Sequence, residues 1–329
     1  MESNIQLLTL YILSFIISAG GAFLTVKFGH KFLLMDIPNQ RSSHSFAMPK
    51  GGGIGILASF IYASFALSTP KSLLISGVIL SVVSILDDIK DISVKIRLSI
   101  QLICSIIFLF GILFYRDVPK EAYPLFLILP IFIIGTINFY NFMDGIDGIA
   151  GIAGVIAFGL LSYYGYTNDK PLSLVYLNLS LSLSCAGFLI FNFPSAKVFM
   201  GDVGSVLLGF LFGAMALLFA SSVLDVLCIL SFLFTFYADE LTTMAVRLKN
   251  KEALMKAHRK HLFQLFANEL KISHWKVSLY YGIIQLFVGA SVIFLRNKGE
   301  VFIFILLLLY FLIFSAASYY IRRKIKSAA

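Results

Sequence analysis

The sequence predicts an all-α, polytopic integral membrane protein, one transmembrane domain over residues 1–329 with about eleven spans. Three observations predict it. Of the 329 residues, 59% are hydrophobic and only 13% charged, with a mean hydropathy of +0.91. The apolar residues run for about 20 positions at a time instead of recurring at amphipathic spacing, long enough to cross a hydrocarbon core as helix. In lipid each segment has to satisfy its own backbone hydrogen bonds, which selects helices. The Gly and aromatic residues within the runs suit helix packing and interfacial anchoring.

Taken in order, the spans fall at 5–27, 51–69, 72–86, 98–115, 124–142, 149–166, 172–192, 204–221, 223–243, 276–295 and 301–320. The third is short and the eighth and ninth nearly abut, so ten spans is the alternative. The first starts almost at once with no basic stretch ahead of it, and is expected to be a span and not a cleaved signal. Eleven spans put the termini on opposite sides. One set of loops, with the C-terminal tail, carries 20 of the 26 Lys and Arg residues; the other carries 6. By the positive-inside rule the first set is cytoplasmic, with the N-terminus outside and the C-terminus cytoplasmic. This distribution explains the net charge of +9 as a topology signal and removes the need for a nucleic-acid partner. Cys104, Cys185 and Cys228 lie inside apolar runs and no CxxC occurs, so neither a disulfide framework nor a zinc site is indicated.

The polar chemistry is confined to the cytoplasmic side, in loops near 28–50, 87–97, 138–148, 192–204 and 244–275. Asp87 and Asp88 are adjacent at the end of a span, with Asp91 following. Neighbouring carboxylates at a membrane interface repel, so either a divalent cation or Lys90, Lys95 and Arg97 offsets them, or the loop is simply solvated and acidic. In "NFYNFMDGIDGIAG", Asn138, Asn141 and Asp144 recur every third residue and share a helix face if the helix continues that far; Asp147 follows. A capped turn explains one Asp and one Gly. It does not explain two asparagines one and two turns earlier, which need polar partners. The ligand alternation of a calcium-binding EF-hand loop is missing. Asp202 in "FMGDVGS" stands just before a span, where a lone Asp commonly caps a helix. "GGGIG" at 51–55 lacks the strand and the GK[ST] of a phosphate loop and suits close helix packing; Lys50 beside it suits a phosphate contact or a positive-inside anchor. The last loop holds "AHRKHLFQ". His258 and His261 are three apart, with no carboxylate or third ligand near them in sequence for zinc. Four donors on one turn suit a pyrophosphate, or, for the basic residues alone, anionic lipid.

Together, "DDIKD", "NFYNFMDGIDGIAG", "FMGDVGS" and the histidine-bearing last loop resemble the polyprenyl-phosphate N-acetylhexosamine-1-phosphate transferases, the MraY/WecA-like membrane enzymes of glycosyltransferase family 4. The resemblance spans residues 36 to 264. It implies transfer of a sugar-1-phosphate from a UDP-sugar to undecaprenyl phosphate with release of UMP, using Mg²⁺ (Mn²⁺ as the alternative). It implies that Asp202 is the metal ligand, and that Asp87 and Asp88 are the acidic pair that orients or deprotonates the lipid phosphate. Asn138, Asn141, Asp144, Asp147 and Asn192 become nucleotide-sugar contacts, and His258, Arg259, His261 and Lys50 pyrophosphate contacts. "HRKHLFQ" and the early loop "DIPNQRSSHSFAMPKGGG" resemble the subgroup that initiates O-antigen or similar surface polysaccharides, some of whose members use 6-deoxy-N-acetylhexosamines; this argues against a MurNAc-pentapeptide donor. A bacterial inner-membrane location follows, with membrane lipid as surroundings and homodimerisation left open.

The rival classes are a transporter and a non-catalytic polyprenyl-lipid-binding protein. Transport sites lie near the midplane on broken helices, whereas here the carboxylates cluster at one interface and the span interiors are nearly uncharged. A lipid-binding scaffold has no need for Asp202 together with Asp87 and Asp88. Attack by an already ionised lipid phosphate directly on the β-phosphorus is expected over an aspartyl intermediate.

Overall fold

The computed structural model describes residues 2–32, 34–36, 47–90, 92–115, 124, 126–253 and 259–328. Asp91, His258 and positions 37–46 of the first polar loop lie outside the described residues. All eleven apolar runs fall on helix. They are α1 (Glu2–Phe28), α2 (Gly53–Ala66), α3 (Lys71–Lys90), α4 (Val94–Tyr115), α5 (Leu129–Met143), α6 (Ile149–Thr167), α7 (Leu172–Asn192), α8 (Asp202–Phe219), α9 (Val223–Ser231) with α10 (Phe234–Lys249), α12 (His274–Leu295) and α13 (Glu300–Ala328). A single turn, α11 (Leu262–Gln264), widens into a π turn over Leu265–Glu269. Eight helices among the described residues are long and apolar enough to cross a membrane; α2 and α5 are apolar but shorter. The chain is an all-α polytopic membrane protein.

Two expectations are corrected. The third run, expected to be short, lies on a twenty-residue helix. The ninth, expected as one span over 223–243, breaks at Phe232–Leu233. Neither Gly nor Pro stands at the break. Instead the Ser231 hydroxyl donates to the Cys228 carbonyl, competing for a main-chain acceptor as helical serines can. Phe232 and Leu233 then close tighter bonds to Ile229 and Leu230.

α8 is the hub. Sixteen of its eighteen residues are buried, which matches a helix apolar on every side, and α3 and α5 pack along it. Glycines let backbones approach: Gly53 of α2 abuts Gly204 of α8, Gly21 of α1 abuts Gly55 of α2, and Gly187 of α7 abuts the Phe15 carbonyl of α1. Small residues at such crossings substitute for the hydrophobic drive that lipid does not provide. α13 stands at the edge and exposes Val301, Phe304, Ile305 and Leu312.

The two ends of the bundle differ in chemistry. At one end, the carboxylate of Asp225 in the first turn of α9 accepts from Tyr164 Oη (2.5 Å), Ser221 N (2.9 Å), Arg296 Nη2 (3.0 Å) and Lys170 Nζ (3.1 Å), tying together α6, α9 and α12. The opposite end gathers the C-termini of α3, α5 and α10 and the N-termini of α2, α4, α8 and α12, where the polar loops lie.

Candidate active site

A short ladder positions the first cation. Met35–Asp36 pairs antiparallel with Met48–Pro49, and the chain after it pairs with the loop before α8: Phe199 N donates to Pro49 O, Gly52 N to Phe199 O, and Gly53 N to Met200 O. Lys50 is thereby delivered to the C-terminus of α3, its Nζ 3.2 Å from Asp88 Oδ1. The role of "GGGIG" here is close packing.

The adjacent aspartates have different partners. Asp87 Oδ1 accepts from Ile92 N (2.6 Å) and Oδ2 from Arg97 Nη1 (2.8 Å), so its carboxylate folds the turn into α4 and fixes the guanidinium. Asp88 has Lys50 on one oxygen, while its buried Oδ2 has no hydrogen-bond partner among the described residues. That oxygen faces Gly201, whose φ of +73° suits glycine.

Asp202 is the first residue of α8, directly after the N-cap Gly201. Its Oδ1 accepts from Asn141 Nδ2 (2.9 Å), and Arg97 Nη1 lies 3.6 Å from Oδ2. Asn141 also donates to Ser205 Oγ (2.9 Å), and Asn138 donates to Gln101 Oε1 (2.8 Å) and Ile134 O (2.7 Å). The asparagines share a face of α5, as their spacing predicts. Asp144 does not continue it: the helix ends at Met143, and Asp144 is the residue that leaves it. Burial, with Asp202 and Asp88 nearby, pushes the Asp144 carboxyl up to about 7.

Asp147 and Asn192 form a neighbouring group. Asp147 Oδ2 accepts from Ala196 N (3.2 Å), Oδ1 lies 3.4 Å from His274 Nδ1, and its carbonyl accepts from Ser278 Oγ (2.7 Å). Asn192 links the same loops, accepting from Gly148 N and donating to Val198 O, both at 2.8 Å.

The last loop corrects two expectations. Residues 259–261 do not form a helical turn of clustered donors. Arg259 is half-buried, Lys260 pairs with Glu252 at 2.6 Å, and His261 is buried and turns inward. Carboxylates, absent near His261 in sequence, are near it in space: Asp239 Oδ1 at 3.9 Å and Glu240 Oε1 at 3.5 Å. Burial, with Arg322 and Arg247 nearby, holds His261 below the usual imidazole range against the pull of Asp239. Asp239 organises this loop. It accepts from Leu262 N (2.8 Å), Phe263 N (3.2 Å), Tyr281 Oη (2.7 Å) and Thr243 Oγ1 (3.1 Å), satisfying the free amides at the start of α11. The interior of the ninth run is therefore not nearly uncharged: Asp239 and Glu240 are both buried on α10. "ADEL" carries the same signal as "MDGIDG", carboxylates where an apolar run would cheaply hold leucine.

A cavity of about 640 Å³ joins these parts. Asp87, Arg97, Asn138, Asn141 and Asp202 line one wall; Glu240, Arg247, His261 and Gln264 line another, with apolar residues of α3, α4 and α5 between. Asp88 and Lys50 adjoin through Gly201. Among the described residues no three His, Cys, Asp or Glu side chains form a ready-made metal cage. Magnesium needs none: it binds through one or two carboxylates and completes its shell with water and substrate phosphate. Asp202 and the unpartnered oxygen of Asp88 fit that donor set.

Residues 71–220 match the family model described as Glycosyl transferase family 4. That stretch contains Asp87, Asp88, both asparagines of α5, Asp144, Asp147, Asn192 and Asp202. A Bacillus subtilis protein named a probable undecaprenyl-phosphate N-acetylglucosaminyl 1-phosphate transferase is 29% identical over 65% of this chain and 61% of its own length. A Thermotoga maritima undecaprenyl-phosphate alpha-N-acetylglucosaminyl 1-phosphate transferase is 28% identical over 77% of this chain and 78% of its own. A Pasteurella multocida protein of that same name is 34% identical over 60% and 62%. The chain thus spans somewhat under two thirds of the Bacillus and Pasteurella relatives. With the matched stretch holding one whole wall of the cavity, the chain resembles glycosyl transferase family 4 over residues 71–220.

Proposed function

We propose that the protein is a phosphoglycosyltransferase that moves an N-acetylhexosamine-1-phosphate, GlcNAc or a 6-deoxy sugar, from a UDP-sugar to undecaprenyl phosphate and releases UMP. The observation that carries this reading is the convergence of Asp88, Asp202, Lys50 and Arg97 beside one cavity whose remaining wall is partly apolar. Anions meeting in a half-dry site need fixed cations, and the acceptor needs an apolar approach to a polar headgroup site. The relatives' names point to the same acceptor.

In this mechanism Lys50 and Arg97 hold the phosphates against mutual repulsion. Asp202, with Asp88, would hold a divalent cation, which would supply neutralisation of the charge developing on the phosphates. Asp87 positions Arg97, and Asp88 is the carboxylate left to orient the acceptor. An acceptor phosphate oxygen forms a bond to the β-phosphorus. The bond from that phosphorus to the bridging oxygen breaks, and its electron pair leaves with UMP. Asn141 keeps Asp202 aimed at the cavity. Asn138, Asp144, Asp147 and Asn192 contact the nucleotide sugar directly or through the loops they fix, and Arg259 and His258 serve the pyrophosphate end. The site faces the cytoplasm of a bacterial inner membrane, and the product starts O-antigen lipopolysaccharide or another surface polysaccharide.

The test is purified protein with Mg²⁺, undecaprenyl phosphate and a panel of UDP-N-acetylhexosamines, scored for UMP. Release is expected with at least one donor and is lost in Asp202→Asn without loss of folding. No release with any donor, while a relative works alongside, overturns the reading. Exchange of UMP into UDP-sugar without acceptor overturns direct attack.

A further inference from the structure

Glu240 is the feature that this mechanism leaves unused. It sits on α10 next to Asp239, is 2% exposed, and lines the cavity. Its Oε1 has no hydrogen-bond partner among the described residues. His261 Nε2 lies 3.5 Å from that oxygen without forming a hydrogen bond to it. Arg247, about two turns further on, has its Nε 3.6 Å from Glu252 Oε2 and donates from Nη2 to the Ala253 carbonyl (2.5 Å). A buried carboxyl oxygen without a hydrogen-bond partner costs free energy that a bound ligand would recover.

The charges on the two walls say which ligand group that is. Lys50 and Arg97 stand at the Asp202 wall, where phosphate is stabilised. Glu240, Gln264, His261 and Arg247 line the other wall, with Arg247 engaged by Glu252 and the Ala253 carbonyl; the Glu240 carboxyl there repels phosphate and suits an uncharged group rich in hydroxyls and amides. Resting on the reading of the site as one for a nucleotide-sugar donor, we propose that Glu240 is its specificity-determining contact, hydrogen-bonding a hydroxyl or the amide N–H of the donor's sugar ring. In a site built to hydrogen-bond such a group, a sugar lacking it leaves the buried partner unpaired and is rejected.

Binding measurements decide this independently of turnover. Wild type, Glu240→Ala and Glu240→Gln are titrated calorimetrically in detergent with UMP and with UDP-GlcNAc, UDP-GalNAc and a UDP-6-deoxy-N-acetylhexosamine, each variant checked by thermal unfolding. Glu240→Ala is expected to weaken the best-bound UDP-sugar about tenfold or more, to leave UMP within about twofold, and to narrow the spread among sugars. Should the alanine variant not fold, the near-isosteric glutamine variant decides by its ratio of UDP-sugar to UMP affinity. An unchanged ratio overturns the inference, as does an equal loss for UMP and every sugar. A wild type that binds neither UMP nor any UDP-sugar overturns the donor-site reading itself, a different result from wild-type binding that ignores Glu240.

Discussion

Replacing Asp239 by alanine tests how the last loop is held. The carboxylate is fully buried and accepts from two main-chain amides and two hydroxyls. Alanine leaves the Leu262 and Phe263 amides and the Tyr281 hydroxyl without an acceptor, at about 1–3 kcal/mol each. Removing a buried charge returns part of that as relieved desolvation, so the net loss is about 4 kcal/mol. At about 1.4 kcal/mol per factor of ten, the loop opens roughly a thousandfold more often. Hydrogen exchange followed by mass spectrometry reads this directly. The peptide covering 261–269 should exchange roughly a thousandfold faster, while peptides from α8 keep their protection. Asp239→Asn retains one acceptor oxygen and should give an intermediate rate. Unchanged protection at 262–263 in the alanine variant would refute the assignment of Asp239 as the anchor. Protection lost equally across α8 would refute its local character.

Other predictions follow from the same geometry. Gly201→Ala places a Cβ at φ +73°, about 2.8 Å from Gly51 N and 2.9 Å from Asp88 Oδ2; it should cost about 1–3 kcal/mol and lower the unfolding temperature measured in detergent. Arg97→Gln leaves Asp87 and Asp202 facing each other without their shared cation, and should cut UMP release at least tenfold; Arg97→Lys should restore part of it. His261 is held below its ordinary value of 6.5, so the unfolded chain takes up its proton first as pH falls. Its contribution to stability is complete above about pH 6.5 and declines below it. Melting curves from pH 7.5 to 5.5 should therefore fall more steeply for wild type than for His261→Gln; parallel curves would remove His261 as the cause.

Much of this architecture is legible in the sequence because lipid leaves the backbone few options. The run at 172–192 coincides with α7, and every other run falls on helix. The polar end is legible too, since Asp87, Asn141 and Asp202 interrupt apolar periodicity on the same side of successive crossings. The break inside 223–243 is not legible, because a serine hydroxyl makes it without Gly or Pro. Asp239 and Glu240 were obscured by the surrounding Phe, Leu and Tyr, whose mean hydropathy conceals two carboxyl groups that only the folded bundle supplies with donors or leaves without. The division of labour between Asp87 and Asp88 depends on where Arg97 and Lys50 arrive, which is a tertiary fact. Nor does helical spacing place Asp144, since α5 stops one residue before it.

The Asp225 cluster has a mechanical consequence. It fastens α6, α9 and α12 at the end remote from the cavity, with two cations on one carboxylate. The nineteen residues of α6 span about 28 Å. A tilt of about 2° about that fastening displaces the opposite tip by roughly 1 Å over this length, a displacement large enough to make or break a hydrogen bond. The far cluster therefore fixes α6 and α12 where no chemistry occurs, and the length of each helix turns any tilt there into a displacement beside Asp147 and His274.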